Sequence, residues 1–371
     1  MSDLPALVRL DDEQLSTHRA AHEAFQSALT SADPAVEASV RRCSRRLLIE
    51  ALANLLVVFD DAERPMLLPP PRRFLSAPAV QRVAGAEVAL RHIDSALMIR
   101  TMLDGRPAVH AATPLVLNAL LAGPVGERET NPGLLRATAT SWKPDANAFR
   151  HPPPEDVADL MSAVMAVASD ESVPAVERAG WSTFLTMTIH PFVDGNGRTA
   201  RALFLAVAGT DLPGEIDWGV LDQWHLARVA YVDALQAGQR AERYAGHAVD
   251  PGPFVRFGAR SSTRGAEIGV ARVELLSRAA EDRPELRDPT VMRTVVDRFV
   301  TFDELLADSP DDPETTMARV DELVERGLLT IRHAGAGDPA DVVGGRGVVV
   351  GDAIAATATL IRQTRYTSTR R

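Results

Sequence analysis

Over most of its length the chain spaces its apolar residues at helical intervals. From Val176 to Ile189 small or apolar side chains recur at 176, 180, 184 and 187, with Leu185 and Ile189 on an adjoining row. That is the repeat of a helix with most of its surface buried. Pro191 lacks an amide hydrogen and disfavours helix at the residue before it, so this helix is predicted to stop at or near His190. Arg198 to Ala208 is almost wholly apolar once Arg201 is passed, which predicts a second core helix. Residues 12 to 60 read as two long helices broken near Ser31-Ala32-Asp33-Pro34. A third spans 84 to 101, and another follows Thr113-Pro114, where proline suits the first helical position. Glu155 to Ala168 follows Pro152-Pro153-Pro154 with acids in its first turn. Helices dominate to about residue 282, and no repeat of fixed period is visible.

The last ninety residues or so change character. Val291 to Phe299, Thr301 to Leu306 and Pro313 to Arg326 are predicted helices. Gly327 then stops the chain before a strand beginning Leu328-Leu329-Thr330-Ile331. A glycine-rich stretch from His333 to Gly347 leads into Val348-Val349-Val350, the second strand of a hairpin. The order, and the VDELVERGLL segment in particular, resembles a winged helix. If such a module read DNA, the helix over 313 to 326 would enter the major groove and should be basic. It carries Glu314, Asp321, Glu322 and Glu325 against Arg319 and Arg326, so protein interaction or dimerisation is favoured over DNA, with Arg332 and Arg346 the features on the other side.

The chemistry concentrates between the two core helices, in His190-Pro191-Phe192-Val193-Asp194-Gly195-Asn196-Gly197-Arg198-Thr199-Ala200-Arg201. Gly195 and Gly197 can adopt positive φ, turning amides inward as an anion nest at the N-terminus of the second helix. Asn196 tolerates left-handed geometry and could donate its amide hydrogens to a phosphate oxygen. Arg198 and Arg201 share a helical face and match a polyphosphate. Asp194 would repel bare phosphate, so its presence makes sense with a bridging magnesium ion. His190 is the candidate general base. Taken singly, each piece has a bland reading as turn, cap or solvated face. Their contiguity is what carries weight.

The segment resembles the Fic family signature, HPFx(D/E)GNGRxxR, and matches it at every defined position. The resemblance implies a mainly α fold: a helical bundle with a small β-hairpin flap, here with a helical N-terminal region over 1–104, the Fic core over 105–260 and the winged-helix-like domain over 261–371. It implies transfer of AMP from ATP to a hydroxyl side chain of a target protein. By position, His190 would deprotonate the hydroxyl and Asp194 would bind magnesium. Gly195, Asn196 and Gly197 would cradle the phosphates, Arg198 would reach the β-phosphate region, Arg201 the γ-phosphate or an inhibitory glutamate, and Phe192 would pack inward. Asn131-Pro132-Gly133-Leu134-Leu135-Arg136 resembles the start of the family's flap. Two short strands around Lys143-Pro144-Asp145-Ala146 would complete it, and a target segment would dock along Arg136 to Arg150 by β-augmentation. Tyr231, at helical spacing with Arg228 and Leu235, is a candidate neighbour of the adenine, with core packing the alternative. Members that transfer phosphate or phosphocholine depart from the glycine and asparagine pattern kept here. Transfer of UMP, GMP or phosphocholine, and nucleotide sensing without transfer, remain the alternatives. No segment fits the family's inhibitory S/T-x-x-x-E-G/N pattern well: Glu50 follows Arg46, and Glu267 and Glu281 lack the small residue after them.

With 371 residues and 40.0 kDa the chain exceeds one ordinary core. Its net charge of -10 argues against a dedicated nucleic-acid or anionic-membrane surface. The sole cysteine, Cys43, excludes an internal disulfide and a cysteine-based zinc cluster. MSDLPALVRLDDEQL has neither a basic n-region nor an apolar h-region, and no apolar run reaches membrane-spanning length, so a cytoplasmic protein is expected. The expected partners are ATP with Mg2+ and a hydroxyl-bearing protein target. A homodimer is left open, DNA is disfavoured, and no membrane is expected.

Overall fold

The computed structural model describes residues 4–53, 68, 77–102, 108–122, 131–139, 151–212, 221, 223–224, 227–240, 249–333 and 346–364. Among these the protein is mostly helical with one three-stranded antiparallel sheet. It divides into two compact units, the first within 1–22, 48–58 and 77–265 and the second within 23–47, 59–76 and 266–371. Three helices contribute residues to both: α1 (Asp12–Ser31), α2 (Pro34–Leu52) and α9 (Gly252–Asp282).

The first unit is built on α3 (Ala77–Met102), α4 (Thr113–Ala122), α5 (Val157–Ala168), α6 (Ala175–Ile189), α7 (Asn196–Ala208) and α8 (Arg228–Arg240). At its centre α6 packs against α5 and α7, and α7 against α3 and α4. Two close approaches explain glycines inside helices. A Cβ on Gly85 would stand 2.4 Å from the Leu120 carbonyl oxygen, and one on Gly180 would stand 2.9 Å from Val255 Cα. In α6 only Met187 escapes burial, and in α7 only Gly197. The charges that α6 buries are satisfied locally. Arg178 donates to the carbonyls of Val173 (2.8 Å) and Ala168 (2.6 Å) and to Thr210 Oγ1 (2.9 Å). Glu177 accepts from the Leu10 amide at 2.7 Å and pairs with Arg9. His18 and His22, one turn apart on α1, each meet Ser262 Oγ at 3.0 Å. Burial holds them at about 4 and about 3, so both are neutral at pH 7.

The helix boundaries follow their punctuation. The α1/α2 break falls at Ser31–Pro34, and α4 begins at Thr113. The expected start of α3 at residue 84 is corrected to Ala77, and the helix expected from Glu155 opens as a 3-10 turn (Pro154–Asp156) before α5.

The second unit's own elements run α10 (Pro289–Asp297), β1 (Phe299–Thr301), α11 (Phe302–Asp308), α12 (Pro313–Glu325), β2 (Leu329–His333), β3 (Arg346–Val350) and α13 (Ala355–Gln363). The helix predicted to reach Phe299 ends earlier, because Arg298 takes φ 71. Phe299-Val300-Thr301 instead form a strand paired antiparallel to β3, giving the order β1-β3-β2. Val300 and Val348 face each other in that register and are both buried. Thr301 then caps α11 through a capping box with Glu304, and Asp288 caps α10 by accepting from the amides of Thr290 and Val291. Phe25 lies against Gly269, where a Cβ would meet its ring at 2.6 Å. No helix among the described residues is long and apolar enough to cross a membrane.

Candidate active site

The loop from His190 to Gly195 joins the C-terminus of α6 to the N-terminus of α7. His190 is the left-handed cap of α6, with φ 54 and ψ 59, a conformation that costs a non-glycine residue about 1–2 kcal/mol. Tethers from three places hold it there. Its amide donates to the Thr186 carbonyl (3.0 Å), and its carbonyl accepts from Arg136 Nε (2.8 Å). The next carbonyl, of Pro191, accepts from the Arg136 amide at 2.8 Å. Arg136 is itself buried, and its remaining nitrogens donate to the carbonyls of Thr138, Pro152 and Ile189. Chain strain at the base is thus offset by one guanidinium that clips residues 136–138 and 152 to the helix end.

The His190 ring is held at about 4, first by burial and then by the neighbouring His151; hydrogen bonding to the Met187 carbonyl and the Asp194 charge work in the opposite direction. At neutral pH the ring is unprotonated and one nitrogen keeps its lone pair. His151 stacks on it, with ring centroids 4.5 Å apart and planes inclined by 29°.

Beyond the turn, Gly195 takes φ 81 and caps α7. Gly197 does not adopt positive φ, which corrects the expectation for it: it lies in the first turn of α7 with helical geometry. Its role is spatial. A Cβ there would come within 3.6 Å of Arg201 Nη1 and 3.9 Å of Met187 Sδ. The two positions of α6 and α7 that are not buried therefore adjoin, directly over the Arg201 guanidinium. The amide of Asn196 is also corrected: its nitrogen donates to the Phe192 carbonyl (2.8 Å) and its oxygen accepts from the Phe192 amide (2.9 Å). It locks the turn from within, and Phe192, buried beneath, anchors the loop as the sequence implied.

Arg198 is buried, and its guanidinium donates to the Leu121 carbonyl at the end of α4 and to Asp194 Oδ2 (3.1 Å). It is thus fastened to the side of the loop, where the sequence reading aimed it at a phosphate. Asp194 is half exposed and pairs with Arg198 at 3.1 Å. Arg201 is enclosed, and Tyr231 hydrogen-bonds to it. The Tyr231 ring packs with Trp224 and Phe254, both at 5.6 Å, and Phe257 at 6.0 Å. This aromatic packing is the alternative that the sequence left open for Tyr231.

Two residues went unread in the sequence. Asn118 of α4 is buried, donates to the Asp194 carbonyl (2.9 Å) and Thr199 Oγ1 (3.2 Å), and accepts from the Gly133 amide (2.9 Å). It knits α4, the 131–139 segment and the loop. A lone asparagine in the apolar run TPLVLNALLA was the available signal. His151 had none beyond its proline neighbours. Of the flap, residues 131–139 are turns, bends and irregular chain outside any sheet. The strands expected in 136–143 and 147–154 form no strand at their described ends, 136–139 and 151–154, while the Lys143 turn and the rest of the Arg136 to Arg150 docking edge lie within 140–150, outside the described residues.

A half-buried imidazole at the end of one helix, joined by a short glycine-containing loop to the amide end of the next, is an arrangement that can set a base beside an anion. Residues 113–208 match the Fic/DOC family. A Fic family protein from Desulfovibrio desulfuricans G20 is similar in fold, with TM-score 0.53 at 14% identity, over 94% of this chain and 99% of that one. A Fic domain containing signaling protein from Bacteroides thetaiotaomicron VPI-5482 aligns over 70% of this chain and 97% of its own, at 17% identity and TM-score 0.49. Among curated proteins none matches.

Proposed function

We propose that the protein is an adenylyltransferase that moves AMP from ATP to a Ser, Thr or Tyr hydroxyl of a target protein. The observation that carries the reading is the left-handed His190 cap of α6 set across a short loop from the N-terminus of α7, where Arg201 Nη1 comes close to Gly197. In the reaction His190 takes the hydroxyl proton, the target oxygen bonds to the α-phosphorus, and the bond from that phosphorus to the bridging oxygen breaks to release pyrophosphate. The free amides of the first turn of α7 and the enclosed Arg201 receive the charge that grows on the phosphates. Arg198 acts from the side, setting the Asp194 carboxylate.

Among the described residues no cluster of three or more His, Cys, Asp or Glu could hold a metal ion. A half-exposed carboxylate beside a phosphate nest nevertheless fits magnesium, which is ordinarily held by one or two carboxylates and completes its shell with phosphate oxygens and water. When bound, the ion would neutralise charge on the phosphates, with Asp194 as its protein ligand.

The second unit's order of helix, strand, two helices and a two-stranded wing supports a winged-helix reading. Its α12 directs Arg319 to Asp288 and Glu322, and Arg326 to Glu322, leaving Glu314, Asp321 and Glu325 exposed. That charge pattern favours a protein partner over DNA.

Incubating the protein and a lysate with ATP labelled at the α-phosphate, with magnesium, tests the reading. His190→Ala should keep ATP binding and lose transfer by about 10²- to 10⁴-fold, while Asp194→Ala should weaken the magnesium-dependent part of binding. Equal labelling by His190→Ala and wild type would remove the base assignment. Labelled UTP, GTP and CDP-choline in parallel distinguish transfer of another group.

A further inference from the structure

We propose that His151 is a positioning residue that fixes the plane and tautomer of the His190 ring. His190 lies one residue past the end of α6 in a left-handed conformation, so the helix that carries it does not orient its side chain. One face of the ring is instead occupied by His151, at 4.5 Å and 29°. His151 is in turn fixed by its own hydrogen bond, 2.8 Å from Nδ1 to the Thr188 carbonyl. A carbonyl only accepts, so Nδ1 carries the proton and the His151 tautomer is set by α6 itself. Arg136 then joins the backbones on which the two rings stand, through the carbonyls of Pro152 and His190. The stack is therefore a plate bolted to the last turn of α6, against which the His190 ring lies flat. The Met187 carbonyl nearby favours an N–H on the His190 ring, which leaves the other nitrogen to accept a proton. A pre-oriented base removes the rotational search that would otherwise precede proton transfer.

The kinetic arm of the test rests on the adenylyl-transfer reading, and the spectroscopic arm does not. On the full chain, His151→Ala should lower kcat by about 10²-fold and leave KM for ATP within about twofold, because it frees the base without touching the phosphate nest. His151→Phe keeps a flat ring and should recover activity to within about tenfold of wild type. In parallel, the ring-nitrogen NMR shifts of His190 should report one tautomer in wild type and in His151→Phe, and an averaged pair in His151→Ala. Three results would overturn the proposal: His151→Ala with wild-type kcat and shifts, alanine and phenylalanine variants equally impaired, or a rise in KM with kcat unchanged. A wild type inactive toward every nucleotide, yet showing the expected shifts, would remove the transfer reading and leave the positioning role in place.

Discussion

The two glycines of the loop should respond to alanine in opposite directions. At Gly195 φ is 81, and an added Cβ would stand 2.9 Å from Asn118 Nδ2 and 3.1 Å from Ala122 Cβ. Left-handed backbone costs alanine about 1–2 kcal/mol, and overpacking adds about 1–3 kcal/mol. Displacing Asn118 also strains the hydrogen bond that it donates to Asp194. A loss of about 3 kcal/mol lowers the melting temperature of a unit this size by about 6–12 °C. At Gly197 the backbone is helical and the nearest atoms to a new Cβ are 3.6 Å and 3.9 Å away. Alanine there gains up to about 1 kcal/mol from helix propensity, raising the transition by about 1–4 °C. Its methyl group nonetheless stands between Arg201 Nη1 and Met187 Sδ, where the proposed phosphates would approach, so ATP binding should fall at least about tenfold, or about 1.4 kcal/mol. Thermal melts followed by circular dichroism without ligand, then calorimetric titration with ATP and magnesium, read both quantities. A Gly195→Ala protein melting within about 2 °C of wild type, or a Gly197→Ala protein destabilised to the same extent, would refute the geometry. Wild-type ATP affinity in Gly197→Ala would refute the location of the nucleotide.

Asn118→Ala leaves the part-buried Asp194 carbonyl and Gly133 amide without their partner, and should destabilise the first unit by about 1–3 kcal/mol, read as a shift in urea midpoint at constant slope. An unchanged midpoint would mean that the loop does not depend on α4. Tyr231→Phe retains the aromatic packing and deletes the hydrogen bond to Arg201, so ATP should bind about 3- to 30-fold more weakly with little change in fold; equal affinity would sever Tyr231 from the site. His18 and His190 are held at about 4 and His22 at about 3, each below the ordinary 6.5, so unfolding takes up protons between those limits. Their contribution is fully present above pH 6.5 and drains away as pH falls toward 4, at up to about 1.4 kcal/mol per pH unit for each histidine. Urea midpoints at pH 7, 6 and 5 should fall steadily, and a flat series would contradict the burial of these rings.

The sequence was most legible where a covalent or steric rule acts locally. Pro191 ends α6, Pro34 and Pro114 open helices, and the apolar repeats of 176–189 and 198–208 mark the buried pair at the centre of the first unit. It was least legible where a residue's role is set by something far along the chain. Asn196 reads as a phosphate donor until the Phe192 backbone is seen to use its amide, and Arg198 reads as a phosphate ligand until α4 presents the Leu121 carbonyl 77 residues away in sequence. Strand β1 was missed because three residues are too few to display alternation; its identity comes from pairing with β3, nearly fifty residues later. Tyr231 illustrates both sides: its helical spacing was legible, and its contacts with Trp224, Phe254 and Arg201 come from elsewhere in the chain.

The loop also shows how one short segment can serve two opposite electrostatic needs. It sits between the carbonyl-rich end of α6 and the amide-rich start of α7, so within a few residues the field changes from one that favours a cation to one that favours an anion. His190 stands at the first and the nest at the second. At rest, burial and the adjacent imidazole outweigh the helix end and keep His190 neutral, which is the form that can accept a proton. Once the ring takes that proton, the Met187 carbonyl and Asp194 are the groups that support the new charge. A base left unprotonated by burial, yet supplied with acceptors for its protonated form, is poised for transfer in a way that a solvent-exposed histidine of ordinary basicity is not. The same division predicts that Asp194→Asn impairs the chemical step as well as the metal-dependent binding. Single-turnover labelling at saturating ATP and magnesium should show a slower step in that variant, and an unchanged rate under saturation would confine Asp194 to the metal.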